Sequence, residues 1–336
     1  MEFNITELLV AFAGGIFGAA IGALPVWILC GLAVLIGGAI TMATGDESFT
    51  NLVAWGLFLG PHTAFAGGTA AAAYAAKKGE LENGRDIQTA LIGLNNPKVL
   101  FVGGIFGALG YLLFWLIMQV PNYSDLAWTN TIALAVILNM VITRFAFGKT
   151  GLFGKPANAQ NRWVPSETGS WVPYQSKPMQ LILLGIAVGV PAAYLADVLP
   201  GSVGITFGFV AFLLIFMQFG FKVPVTHHIA LSASVITVVT GEVAWGVGFG
   251  ILAAFLGELF ACIFVYHGDT HIDPPTMALV GTFTLFPLME QFKVFELSEY
   301  VIWLIVVGIT AAGYLFLTSL KQQKLLLRLL VNKATK

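Results

Sequence analysis

The sequence predicts an all-α polytopic membrane protein of about eleven transmembrane helices, laid out as two inverted five-helix repeats plus one extra C-terminal helix. Three observations carry that expectation. First, 10% of the 336 residues are charged and 57% are apolar, with a mean hydropathy of +0.86, whereas a soluble domain carries about 25% charged residues. Second, the apolar residues fall into runs of the length that a bilayer demands. Third, short motifs recur on either side of a polar connector. The 38 glycines lie inside the apolar runs rather than beside serines and charges. That excludes a flexible or collagen-like chain and fits helices that approach closely in lipid.

A helix needs ~20 apolar residues to cross ~30 Å of hydrocarbon. The runs lie near residues 8–24, 27–44, 51–76, 98–119 and 129–147, then near 179–197, 202–219, 223–240, 243–266, 275–291 and 299–320. Pro25 marks the turn between the first two. The third and eighth runs contain Pro61 and Pro224, and helices are expected to break near both, because proline removes a backbone donor and disturbs the preceding turn. Residues 1–147 form the first repeat, 148–178 a cytoplasmic connector rich in Gly, Pro, Asn and Trp, and 179–292 the second, inverted repeat. Residues 293–320 hold the extra helix and 321–336 a basic cytoplasmic tail. The tail reads either as an amphipathic helix on the anionic leaflet or as a plain helix extension.

Cytoplasmic loops are enriched in Lys and Arg. Lys77, Lys78, Arg85 and Lys98 bracket the loop after the third run, and Arg144, Lys149, Lys155, Arg162 and Lys177 cluster after the fifth. Lys321, Lys324, Arg328, Lys333 and Lys336 follow the eleventh. The opposite loops carry Glu2, Asp46, Glu47, Asp125, Asp197, Glu242, Glu296 and Glu299, with Lys293 alone of opposite sign. The sorting places the N-terminus outside and the C-terminus in the cytoplasm of a plasma or inner membrane. Met1 to Glu7 carry no basic n-region, so no cleavable signal is expected.

The repeat is read from three correspondences. Gly103, Gly107 and Gly110 of the fourth run fall opposite Gly250, Ala254 and Gly257 of the ninth at one constant offset. Asp125 and Asp273 each precede the next run, and GPHTAFAGG in the third resembles VTHHIALSA in the eighth, pairing His62 with His228. Five spans per repeat is an odd number, so the second copy must be inverted. Inverted repeats that hold a site at the bilayer midplane are a recurring plan for transporters.

Ionisable residues inside apolar runs mark pathways. His62 and Thr63 follow Pro61, and Thr226, His227 and His228 follow Pro224. Two half-helix N-termini meeting there suit an anion or a polar solute, and histidine can carry a proton. Packing histidines bonded to neighbouring carbonyls are the plain alternative. Asp125 and Asp273 are expected near the two mouths of the path, or as simple helix N-caps. Glu258 is the candidate for proton or sodium coupling, against a structural hydrogen bond to another helix. Arg144 and Asn139 read as structural, with Arg144 close enough to the inner surface to snorkel.

The segment His267-Gly268-Asp269-Thr270-His271-Ile272-Asp273 alternates His and Asp at a two-residue spacing. In an extended loop those side chains share a face, and His with carboxylate is zinc chemistry. An intramembrane or surface metal-binding protein or enzyme built on His267, Asp269 and His271 is therefore the competing class. Cys30 and Cys262 lie in apolar runs and read as small buried residues. No Gly-x-x-x-x-Gly-Lys-Ser/Thr phosphate loop occurs, since Gly148-Lys149-Thr150 has Thr143 where the first glycine is required, and a net charge of −1 points to no nucleic acid.

Five plus five plus one helices, N-terminus out and C-terminus in, resembles the layout of ammonium transporters. Their paired pore histidines lie late in each repeat, whereas His62 and His228 lie at its third span. Asn95-Asn96-Pro97 resembles the urea-transporter signature without a partner in the second half. Asp273-Pro274-Pro275 followed by small residues resembles the HPP membrane-protein family. Each likeness rests on one short feature, and none identifies the chain. The expectation is a transporter or channel for a small polar or ionic solute, not an enzyme, with no cofactor beyond a coupling proton or sodium ion. Its partners are the lipid bilayer and the solute, with association between copies left open.

Overall fold

In the computed structural model, residues 3–122, 126–156, 162–165 and 172–334 are described, with side chains as far as residue 322. Among them the chain is all helical. The helices are α1 (Ile5–Ile21), α2 (Ala23–Thr44), α3 (Ala66–Lys78), α4 (Pro97–Ile117), α5 (Thr131–Phe147) and α6 (Pro178–Val198). They are followed by α7 (Val203–Phe212), α8 (His227–Thr240), α9 (Val243–Phe260), α10 (Pro274–Gln291) and α11 (Glu299–Ala334). Each falls on one of the apolar runs. Five are long and apolar enough to cross a membrane: α2, α4, α6, α9 with its continuation to Val265, and α11 over Glu299–Gln322. Helices α1, α5 and α8 are apolar but shorter, as is α7 with its 3₁₀ continuation to Phe219. This is the helix inventory of a membrane protein.

The boundary between the first two helices differs from expectation. The chain turns at Gly22, whose φ of 99° excludes a side chain at no cost only to glycine. Pro25 lies in the first turn of α2, where a missing N–H is harmless. The Leu24 amide then donates to the Ile87 carbonyl at 2.6 Å. At the other end, α11 runs unbroken to Ala334, so the basic tail extends that helix.

Two runs that resembled known signatures are helix starts. Asn96 caps α4 by accepting from the Lys98 amide at 3.0 Å, with Pro97 as first helical residue. Asp273 caps α10 in the same way, ahead of Pro274 and Pro275. Both are ordinary N-cap and N1 chemistry.

The helices pack in a regular scheme. α1 lies along α4, and α6 along α9; α3 touches α1 and α4, and α8 touches α6 and α9. α5 packs on α4, and α10 on α9, while α2 faces α7 and α5 faces α10. α11 rests on α9 and α6. Small residues permit these approaches: a Cβ on Gly250 would stand 3.1 Å from the Gly189 Cα, and one on Gly15 would stand 2.8 Å from the Gly107 Cα.

The connector end of the bundle is tied shut by polar contacts. Arg144 is buried, and its guanidinium donates to the carbonyls of Thr270 (2.6 Å), Phe264 (2.9 Å) and Leu152 (2.9 Å). It staples the two halves rather than reaching for the surface. Arg85, in the loop between α3 and α4, donates to the Val265 carbonyl at 3.1 Å. Burial lowers its pKa from the ordinary value, and Asp269 opposes that shift. Asn139 is structural as well, donating to the Phe106 carbonyl at 2.7 Å.

Candidate functional site

Three helices begin inside the protein rather than at its surface. After α2 the chain makes a π-helical turn at Thr50–Ala54, runs irregularly to Gly60, and restarts at Pro61–Phe65, which leads into α3. Proline suits this restart because its fixed φ is already helical. The Thr63 hydroxyl closes the turn by donating to the Gly60 carbonyl at 3.0 Å. Ahead of α8, residues 221–226 are irregular, and Val225 is paired to the connector. The Gln175 amide donates to the Val225 carbonyl at 2.9 Å and accepts from the Val225 N–H at 2.8 Å. α8 then starts at His227 with Thr226 as its cap residue. The third start is α10, where the chain returns inward from the end of α9.

Trp27 of α2 joins these starts. Its ring centroid is 4.9 Å from that of His227, 5.9 Å from Phe65 and 5.9 Å from Phe207. His271 faces Phe65 at 6.1 Å and donates from Nε2 to the Asp273 carboxylate at 3.1 Å. The other carboxylate oxygen accepts from the Thr276 amide at 2.9 Å and its hydroxyl at 2.5 Å. Trp27, His227, His271 and Asp273 are all less than a tenth exposed. The Trp27 Nε1 and His227 Nδ1 atoms have no hydrogen-bond partner among the described residues. A buried polar atom without a partner is uncommon and calls for an explanation.

A cavity of about 190 Å³ opens beside this cluster, lined by Trp27, Trp55, Pro61, Phe207, Thr276 and Phe283. It shares Trp55 and Phe207 with a vestibule of about 340 Å³ that reaches Glu47 and Thr41. Inward it shares Trp27 and Thr276 with a space of about 10 Å³ against His227 and Asp273. Beyond His228, a separate pair of spaces of about 30 and 350 Å³ meets at Gln175 and reaches Lys222 on the connector side. The His227–His228 start of α8 and the Asp273-Pro274-Pro275 start of α10 stand between the two sets. Trp27 is four residues into a helix of 22, so the cluster lies toward the connector end of α2 rather than at mid-length.

The residues singled out by sequence separate into groups. His227 and Asp273 are together at the centre, with Thr226 buried beside them. Asp273 was expected at a mouth; it is interior because residues 267–273 carry the chain back inward before α10 begins. His62 is buried, but its ring lies 4.9 Å from Phe114 of α4 and outside the cavity lining. His228 lines the small space with Glu258 on the connector side. Asp125 lies outside the described residues.

Glu258 has a structural account. It pairs with Lys321 of α11, and the Tyr266 hydroxyl lies 2.9 and 2.8 Å from its two oxygens. Lys321 also donates to the Ser176 carbonyl at 2.5 Å. The alternating His/Asp segment does not present one face. His267 Nε2 lies 3.1 Å from the Arg162 carbonyl, Asp269 accepts from the Thr150 hydroxyl at 2.7 Å, and His271 turns to Asp273. No three of the His, Cys, Asp and Glu side chains among the described residues are placed to hold a metal ion.

With that geometry in hand, the chain can be compared with known proteins. A family model described as a family of unknown function (DUF7973) matches it over residues 1–163 and again over 155–304. The chain belongs to this family. No curated protein and no solved structure matches it. The family's two matched stretches divide at the connector, with α1 to α5 in the first and α6 to α10 in the second.

Sequence reasoning missed the aromatic members of the cluster, Trp27, Trp55, Phe65 and Phe207. A tryptophan near the end of an apolar run ordinarily reads as an interfacial anchor. The available signal was Trp27 two residues after Pro25 and five after Gly22, a pair that marks a chain reversal and carries the helix start inside the protein.

Proposed function

We propose that the chain is a membrane transporter or channel for a small polar or ionic solute, which passes through the cavity between two inverted five-helix repeats. The observation that carries this reading is the convergence of three internal helix starts on Trp27, with buried Trp27 Nε1 and His227 Nδ1 facing no partner among the described residues. A polar solute would supply those partners.

Several features support the repeat. Raising every helix number by five turns α1–α4 packing into α6–α9, α3–α4 into α8–α9, and α4–α5 into α9–α10. The self-paired contacts α2–α7 and α5–α10 are what a two-fold relation between units produces. One family model matching two successive stretches fits the same duplication. At residue level, Gly110 abuts the His62 carbonyl, while a Cβ on Gly257 would stand 2.9 Å from His228 Nε2.

On the charge-sorted topology, the vestibule at Glu47 faces outside and the connector faces the cytoplasm. The arrangement is then open toward outside and closed below by the Arg144 and Lys321 contacts, as one state of alternating access. Glu258 could take up a proton or sodium ion when its pair with Lys321 opens.

Flux in proteoliposomes tests the proposal. A panel of small anions, cations and neutral solutes, with and without a pH gradient, should reveal at least one that crosses. Trp27→Leu and His227→Ala should each cut that flux by about tenfold or more while leaving the folded yield intact. Flux unchanged in both variants, or no flux for any solute, defeats the reading.

A further inference from the structure

The cavity's lining bears on the sign of the solute's charge. The ring centroids of Trp55 and Phe207 stand 5.2 Å apart, and both rings line the cavity with Trp27 and Phe283. Aromatic faces carry partial negative charge and attract cations within about 6 Å of the centroid. The charged residues lining the cavity, its vestibule and its inner space are Glu47 and Asp273, both acidic, with no Lys or Arg among them. A helix N-terminus ordinarily favours an anion. At α10 that place is already taken by Asp273, whose carboxylate caps the helix. Along the aromatic lining and at Asp273 an incoming anion would meet partial and then full negative charge, whereas a cation meets attraction at both.

Resting on the reading of this cavity as a solute path, we infer that its ligand is a small organic cation of the methylated or primary ammonium class. Its charged group lies against the faces of Trp55 and Phe207, with Asp273 one layer behind. A volume of about 190 Å³ is below the ~300–1,000 Å³ of drug-sized pockets, which limits the ligand to a few heavy atoms around one charge. Acidic loops on the vestibule side concentrate cations at the entrance.

Calorimetric titration of the full chain in lipid nanodiscs tests this with chloride salts of methylammonium, tetramethylammonium and choline. The uncharged choline isostere 3,3-dimethylbutan-1-ol and sodium acetate serve as comparisons. At least one ammonium ion should bind, and choline should bind about tenfold or more tighter than its isostere, as expected for a desolvated cation–π contact. Trp55→Leu should weaken ammonium binding by about tenfold, and Asp273→Asn by at least as much. If Asp273→Asn does not fold, Trp55→Leu still decides. Equal binding of choline and its isostere, preference for acetate, or an unaffected Trp55→Leu overturns the inference. Flux separates it from the transport reading. Passage of acetate or a neutral solute with no ammonium binding sinks the cation assignment alone. Ammonium binding through Trp55 with no solute crossing sinks transport alone.

Discussion

At Gly110 and Gly257 one methyl group decides whether a crossing forms. A Cβ on Gly110 would fall on the His62 carbonyl, and one on Gly257 would press on the His228 ring. Backbone cannot move aside as a flexible side chain can, so Gly110→Ala should be the costlier change, in the range of about 1–3 kcal/mol known for overpacking. Gly308 of α11 has nothing within 4 Å of its Cβ position, and Gly308→Ala should be neutral. Thermal melting in detergent should rank Gly110→Ala below Gly257→Ala and both below Gly308→Ala. Asp273 makes a second residue-scale case. Asp273→Ala removes an N-cap to the half-buried Thr276, worth ~1 kcal/mol, and strands the buried donor of His271, which costs a further ~1–3 kcal/mol. A drop in melting temperature smaller than that of a surface Asp→Ala change would contradict this account. The glycine correspondence was legible as a constant offset in the sequence, and His62 with His228 as a separate motif match; that each histidine meets its glycine was not. Which way His62 points was not, because a side chain's direction follows from the helix it packs on, and the sequence shows no partner helix.

Elements follow from apolar length, and that is why the helix positions were readable while their starts were not. Pro61 and Pro224 flagged disturbed helices, and α3 and α8 do begin next to them. What precedes each start differs: a π-helical turn with irregular chain in one case, an irregular stretch paired to Gln175 through Val225 in the other. No local propensity distinguishes those, since both depend on what the chain can bond to after leaving the helix. The same limit hid the role of α11. Glu258 looked like a lone carboxyl until Lys321, 63 residues on, came beside it. Breaking a buried pair from one side leaves an uncompensated charge and costs about 3–5 kcal/mol, while replacing both partners with apolar groups is often neutral. Side-chain exposures of 6% for Glu258 and 15% for Lys321 put this pair in the buried class. Lys321→Met should therefore lower the melting temperature sharply, and Glu258→Leu combined with Lys321→Met should recover most of it. If the double variant is as unstable as the sum of the single ones, the pair is not what fixes α11 to α9.

For the whole molecule, an inverted duplication makes a demand that no single helix does: equivalent loops must lie on opposite sides of the membrane. The turn after α2, with Glu47, and the loop before α11, with Glu296, are expected outside. The loop after α3, with Lys78, and the connector, with Lys155, are expected in the cytoplasm. The native cysteines are buried, Cys30 at 0% and Cys262 at 1% exposure, so they contribute little background to thiol labelling. Single cysteines at Glu47, Lys78, Lys155 and Glu296 can then be probed with a membrane-impermeant maleimide. Glu47→Cys and Glu296→Cys should label in intact cells, and Lys78→Cys and Lys155→Cys only after permeabilisation. The complete reverse would keep the two-fold plan and flip the protein. Labelling of Glu47→Cys and Lys78→Cys from the same side would mean that the half-helix α3 re-enters instead of completing a crossing. Five elements would then no longer traverse the membrane an odd number of times, and the duplicated units would have to be parallel.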